Sequence, residues 1–350
     1  MWKFDIIEDW EKVWSEKHLC KWNDLLMQSS TSHVFFHPLL VRIWIDTYLP
    51  LRNFTPIFVW GESENGNNSA FLPLVLWRKD WRGAFLYSII PVGYSDYDYH
   101  DPLFINSPDA VELATYWEEL LIRLQSYHAD EVLLNGFRDR CIASNGLWLQ
   151  GEICPSLDLT KINSEESLMA FFGTKLRGDI RRQMRRLGEM GTLRFVEYAS
   201  EKDIPEGLFE QFMDAHRQRW PNAYKAPLFH ERLVEACSLN APIHFSAMML
   251  DETPIAWHLG FEFQGVYYYY MPAGNPDFQK QSPVKIHLYY LILRAIGKKY
   301  VLYDHLRGDE TYKSGWSDGL QYVNNRIIHS GRISSMIKHG LIKVKEFIRK

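Results

Sequence analysis

The chain is 350 residues long, 46% hydrophobic and 23% charged, with a formal net charge of −4. That length and apolar share accommodate two domains with packed cores. The near-neutral balance excludes a general attraction to DNA or to an anionic membrane surface, and no uninterrupted apolar run of about 18 residues marks a membrane span.

Two amphipathic helices are expected first. Over Glu8 to Met27, the residues Trp10, Val13, Trp14, Leu19, Trp22, Leu25 and Leu26 fall at helical spacing. Over Pro38 to Leu49, so do Leu39, Leu40, Ile43, Trp44 and Tyr48. Antiparallel strands follow at 55–60, 70–77 and 84–91, separated by the Gly- and Asn-rich turn 61–69 and by a second turn at 78–83. A helix over 110–127 leads into a strand at 131–135, placed by the crossover to pair in parallel. Between them, Tyr94 to Pro102 carries Asp96, Asp98, His100 and Asp101. These groups suit an amine or a sugar, with Asp96 as a substrate contact, or a metal. The plainer alternative is a loop whose aspartates cap its own backbone. Cys20, Cys141, Cys154 and Cys237 show neither metal nor disulfide spacing and read as reduced thiols of a cytoplasmic protein. Asp5, Glu8, Asp9 and Glu11 interrupt any signal-peptide pattern.

The second half opens with a strand at 156–160 and a short helix capped by Ser164. The next helix, 175–190, carries Lys175, Arg177, Arg181, Arg182, Arg185 and Arg186. Arg177, Arg181 and Arg185 share one face, where like charges repel by about 0.2–0.5 kcal/mol per pair. An anionic partner would offset that cost; a solvated helix face is the alternative. A strand at 192–198, helices at 205–220 and 226–240, and strands at 244–250 and 255–263 follow. In the last strand Ala256, His258, Gly260 and Glu262 share a face, and the small neighbours leave room beside His258. An imidazole there can take a proton from an ammonium group, or be a hydrogen-bonded structural residue.

Gln264-Gly265 turns the chain into a tyrosine-rich strand at 266–271 that includes Tyr269. Ser282-Pro283 then opens a helix to Gly297, with Ser282 as N-cap, and the amino end of such a helix attracts anions. A strand over 298–306, a turn at Gly308 and one or two turns of helix capped by Asp309 complete a βαβ-like unit. Asp304, His305, Arg307, Asp309, Glu310, Tyr312 and Lys313 crowd this corner, which reads as a site or as a salt-bridged surface turn. A strand at 325–330 and a basic amphipathic helix at 333–348 close the chain.

Tyr303-Asp-His-Leu-Arg-Gly-Asp-Glu-Thr-Tyr-Lys313 resembles the fDfLRGDExYK signature of the CelD/BcsL-type acetyltransferases, FemAB-like members of the GNAT N-acyltransferase superfamily. Phe36-His-Pro38, Pro91-Val-Gly-Tyr-Ser-Asp-Tyr97 and the Arg-rich segment from Leu176 to Leu187 resemble three further segments of that family. Members often carry Gly where this chain has Val284. The resemblance implies an α/β (α+β) fold of two tandem GNAT-like domains, at 1–158 and 159–350, each a mixed, largely antiparallel sheet flanked by helices. It implies acyl transfer from acyl-CoA, acetyl-CoA foremost, to an amine such as an amino sugar or another cell-envelope polysaccharide precursor, without a metal. Asp304, Asp309, Lys313 and His258 are then the catalytic candidates. Ser282, Val284, Lys285 and Arg307 are the cofactor-binding candidates, and Arg177, Arg181, Tyr269, Asp96 and Tyr312 the substrate-binding ones. Two other readings stay open: a Fem-type transferase using aminoacyl-tRNA, and a non-catalytic GNAT-shaped binding protein of a polysaccharide-synthesis system.

Overall fold

The computed structural model describes residues 1–64, 66–81, 84–143, 146–238 and 240–349, without the side chains of 80, 81, 84 and 342–349. The chain divides into two compact units, residues 1–151 with 322–350, and residues 152–321. Residues 322–350 thus fold with the first unit, whereas the sequence pattern groups them with the second half.

The first unit begins with β1 (Trp2–Ile7), α1 (Trp10–Val13), α2 (Glu16–Gln28) and α3 (Pro38–Tyr48). The strand β1 is absent from the sequence-based expectation. The single long helix expected from Glu8 is two helices, because Asp9 and Ser15 each accept from a backbone amide and start a new helix. Then come β2 (Asn53–Ser63), β3 (Ser69–Trp81), β4 (Ala84–Pro91), β5 (Leu103–Phe104), α4 (Ala110–Leu124) and β6 (Glu131–Arg138). The turn expected at 78–83 is shorter than predicted, since β3 runs on to Trp81; residues 82 and 83 lie outside the described ones.

β7 (Leu149–Asp158) leads into the second unit. It continues with α5 (Glu165–Phe171), α6 (Thr174–Gly188), β8 (Leu193–Tyr198), α7 (Leu208–Arg219), α8 (Phe229–Glu235), β9 (Ile243–Leu250), β10 (Thr253–Phe263), β11 (Val266–Gly274), α9 (Pro283–Gly297) and β12 (Leu302–Asp304). β13 (Gly319–His329) and α10 (Ile333–Arg349) return the chain to the first unit.

Each unit is a mixed sheet flanked by helices. The first has the order β1-β2-β3-β4-β6-β13 and the second β7-β12-β11-β10-β9-β8. In each, one parallel pair interrupts antiparallel neighbours, β4 with β6 and β11 with β12, and a helix bridges the pair. The second unit's core joins Leu157, Phe172, Ile180 and Leu187 to Ile286, Leu291 and Ile292 of α9. Ser164 caps α5 as expected, in a reciprocal box with Ser167. The helix expected directly after Gly308 is not formed; among the described residues the corner ends in a 3-10 turn, Lys313–Gly315, before β13. No described helix is long and apolar enough to cross a membrane.

Candidate active site

The parallel strands β11 and β12 pair over three positions only, Val266 with Leu302, Tyr267 with Tyr303 and Tyr268 with Asp304. β11 then continues against β10, while the chain beyond β12 stays with β7, as His305 N donates to Pro155 O and Gly308 N to Ile153 O. The strands part there, and Tyr269 and His305 are the first residues on either side of the split. A β-bulge sets the aim of Tyr269: Leu259 faces Met271 and Phe261 faces Tyr268, so Tyr269 and Tyr270 together oppose Gly260.

One face of this sheet, beneath α9, carries a buried array of histidines and tyrosines. The His258 and Tyr269 rings stack at 4.4 Å. Tyr303 stacks on Tyr267 at 5.1 Å, and His305 lies 5.1 Å from Tyr303 and 6.0 Å from Tyr269. The alternation read from β10 therefore holds. The face of His258 and Glu262 is the polar one, and Arg294 of α9 engages Glu262 on it.

The hydrogen bonds of the array assign its protons. Burial, with help from His287, His244 and Arg294, holds His258 far below the ordinary imidazole range; burial also lowers His244. Glu197 is pushed up by burial, yet bonds from His244 and Arg294 hold it down to about 2, so it is a carboxylate. His244 Nε2 lies 3.1 Å from Glu197 Oε1 and must donate to it. His244 Nδ1 then accepts from the Tyr267 hydroxyl at 2.8 Å. The Tyr267 oxygen in turn accepts from His258 Nδ1–H at 3.0 Å. This leaves His258 Nε2 as a bare lone pair, buried and without a hydrogen-bond partner. A proton arriving there would be stabilised through Tyr267 and His244 toward Glu197.

Two more buried atoms beside Tyr269 lack partners, the Tyr303 hydroxyl and His305 Nδ1. His305 Nε2 donates to Trp316 O at 3.1 Å, so Nδ1 is an acceptor, and burial lowers this imidazole to about 3. Burial raises the Tyr303 phenol, which stays protonated as a donor. An unsatisfied buried polar group costs about 1–3 kcal/mol. Three around one ring are a cost that a bound ligand would relieve.

The remaining candidates fall into four places. Asp304 is buried and accepts from Leu306 N at 2.8 Å, capping its own loop, while Leu306 takes a left-handed φ of 58°. Lys313, 4% exposed, donates to Arg307 O at 2.7 Å and pairs with Glu310 Oε2 at 2.9 Å. It staples the corner at Gly308, whose φ is 125° and where a Cβ would lie 2.3 Å from Glu310 Oε2. Arg307 approaches Glu152 at 3.9 Å, and Asp309 is exposed. Tyr312 is 37% exposed; together with Glu310 it adds to the burial that raises the Tyr269 phenol, which sets the corner beside the array.

At the start of α9, Ser282 occupies the N-cap position at a left-handed φ of 50° without the expected side-chain cap bond. The Lys285 amide turns back on Ser282 O, and its ammonium is paired with Asp179. Val284 packs over Gly274, where a Cβ would meet its Cγ2 at 2.6 Å. Arg177 and Arg181 line a separate cleft of about 580 Å³ with Glu165, Glu166, Met169 and Tyr289; no catalytic candidate lines it.

In the first unit the corresponding split is filled by the chain itself. β4 and β6 pair at Ser88–Glu131 and Ile89–Val132, and the following loop closes onto β6. Asn135 Nδ2 donates to Tyr94 O, His100 N to Gly136 O, and Arg138 pairs with buried Asp101. Asp96 accepts from Trp44 Nε1 at 2.9 Å and Ser95 Oγ at 2.8 Å. Loop chemistry, not an open site, accounts for these aspartates. His244, Tyr267 and Glu197 went unmarked in the sequence. Only the alternation that isolates His258 hinted at them, because the relay spans four strands, β8, β9, β10 and β11.

Residues 174–314 match the family described as acetyltransferase (GNAT) domain. The match contains α9, both parting strands and the whole array. No curated protein matches the chain. Among solved structures, FemX superposes with a TM-score of 0.60 at 10% identity, over 89% of this chain and 96% of that one. L-PGS from Bacillus licheniformis gives 0.51 at 9% identity, over 93% and 95%. The C-terminal domain of a putative lysylphosphatidylglycerol synthetase from Agrobacterium fabrum gives 0.50 at 11%, over 87% and 95%. The chain therefore has the fold of FemX, and its residues 174–314 match an acetyltransferase (GNAT) domain.

Proposed function

We propose that the chain moves an acyl group from acyl-CoA to a primary amine at the split between β11 and β12, with His258 as the base. The observation that carries this reading is the bare, buried Nε2 of His258 at the end of a relay to Glu197. An amine attacks only after losing a proton. His258 Nε2 takes that proton, the freed amine nitrogen bonds to the acyl carbon, and the carbon–sulfur bond breaks as the second proton lost by the nitrogen passes to the departing sulfur, which leaves as the thiol. The Tyr303 hydroxyl is the donor for the oxyanion that forms on the way, a contact of the kind whose loss costs about 3–4 kcal/mol. The donor's phosphates are assigned to the amino end of α9 at Ser282 to Lys285, with Lys285 exchanging Asp179 for phosphate oxygens. The acceptor expected from the CelD/BcsL resemblance is an amino sugar.

Aminoacyl-tRNA is the second donor to test, favoured by the exposed Arg181 and Arg186 on α6. The decisive experiment assays full-length protein and His258→Gln with acetyl-CoA and with aminoacyl-tRNA, against amino sugars and simple amines. Turnover should fall about 10²–10⁴-fold in the variant at unchanged thermal stability. Equal turnover in both proteins would remove His258 from the chemistry.

A further inference from the structure

The first unit holds a second cluster, unrelated to acyl transfer. β6 and β13 are antiparallel, and Glu131 and His329 are direct partners across them, so both side chains leave the same face. α10 brings His339 to that face, with the His329 and His339 rings 4.7 Å apart. One ligand atom from each of Glu131, His329 and His339 lies within 4.8 Å of the other two. These three residues are far apart in the sequence and carry no motif spacing, which is why the sequence does not point to a metal at them.

Two details show that the cluster is prepared rather than accidental. Glu131 Oε1 accepts from Ser88 Oγ at 2.5 Å and Lys79 Nζ at 3.0 Å, which orients the carboxylate and leaves Oε2 on the histidine side. His339 Nε2 is a buried atom without a hydrogen-bond partner, 3.8 Å from Oε2. That separation is too long for a hydrogen bond. It is close to the span of about 3.4 Å or more between two ligands of one ion at bonds of about 2.0–2.1 Å.

We propose that Glu131, His329 and His339 form a divalent metal site of the zinc type, clamping α10 to the β6–β13 edge of the first unit. Two imidazoles and one carboxylate suit zinc, with water in the fourth position. Ser88 and Lys79 act as the outer partners that fix the carboxylate.

The test uses full-length protein dialysed against chelator and titrated with zinc chloride by calorimetry, and with cobalt chloride by visible absorption. The wild type should take up about one equivalent, with the intense cobalt bands of a four-coordinate site, and melt at a higher temperature with zinc. His329→Ala and His339→Ala should each weaken uptake at least about tenfold and abolish the zinc-dependent rise in melting temperature. His329 is exposed, so its variant should fold and is the decisive one. No uptake by the wild type, or uptake unchanged in both histidine variants, overturns the proposal.

Discussion

Gly260 shows how little slack surrounds the proposed base. A Cβ there would lie 2.5 Å from His258 Cε1, 2.8 Å from Tyr268 O and 3.0 Å from the Tyr267 hydroxyl oxygen. Two of these atoms belong to the relay and the third is backbone, so none can swing aside alone. Gly260→Ala should cost about 1–3 kcal/mol in urea unfolding and reduce turnover by more than the folded fraction explains. Wild-type stability and activity in this variant would mean that the array tolerates displacement. The buried histidines also set a pH dependence. His33, His230, His287 and His305 are all lowered by burial from 6.5 to about 3. Between those values the unfolded chain binds more protons than the folded one. Stability is therefore complete above pH 6.5 and falls as the pH drops toward 3. Glu197, held down from 4.5 to about 2, adds a loss of the same sign at the acid end. Urea midpoints at pH 7, 5.5 and 4.5 should decline in that order, and a flat series would contradict the burial of these groups.

At the scale of elements, the corner after β12 is a built loop rather than a strand-to-helix joint. Asp304 bends the chain at Leu306, and Lys313 reaches back to Arg307 O and Glu310. Replacing Lys313 leaves a part-buried carbonyl and the Glu310 carboxylate without this donor, at a cost of about 1–3 kcal/mol. Lys313→Ala should thus lower the melting temperature and expose the corner amides to hydrogen exchange. A purely catalytic lysine would leave both unchanged. The bulge of β11 is equally specific. Without the extra residue, Tyr269 would turn to the other face and lose its stack on His258.

For the whole molecule, the tail is part of the first unit. Ser335 and Lys338 of α10, with Arg332 just before it, all bond to Asp130, which is 0% exposed. Val323 to His329 pair along β6. Ending the chain at residue 321 would strip β6 of that partner strand and leave the Asp130 carboxylate without three donors. The truncated protein should aggregate or lose amide protection across β4 and β6. Intact protection there would assign the tail elsewhere. A ligand screen tests the other unit: acetyl-CoA at a hundredfold excess over its dissociation constant should stabilise the fold by about 2.7 kcal/mol.

Local periods and punctuation can be read along the chain alone. Alternation isolated His258 on the polar face of β10, Ser164 announced a helix, and the Leu-Arg-Gly-Asp-Glu run marked the corner that lies beside the array. These signals are read within a few residues, so pattern alone carries them. Tertiary structure decided what those side chains do. It made Lys313 a staple, tied Lys285 to Asp179, filled the split of the first unit with its own loop, and assembled Glu197, His244, Tyr267 and His258 from separate strands. Such partnerships depend on register, bulges and burial, and those are set when distant segments pack, not by neighbours in the chain.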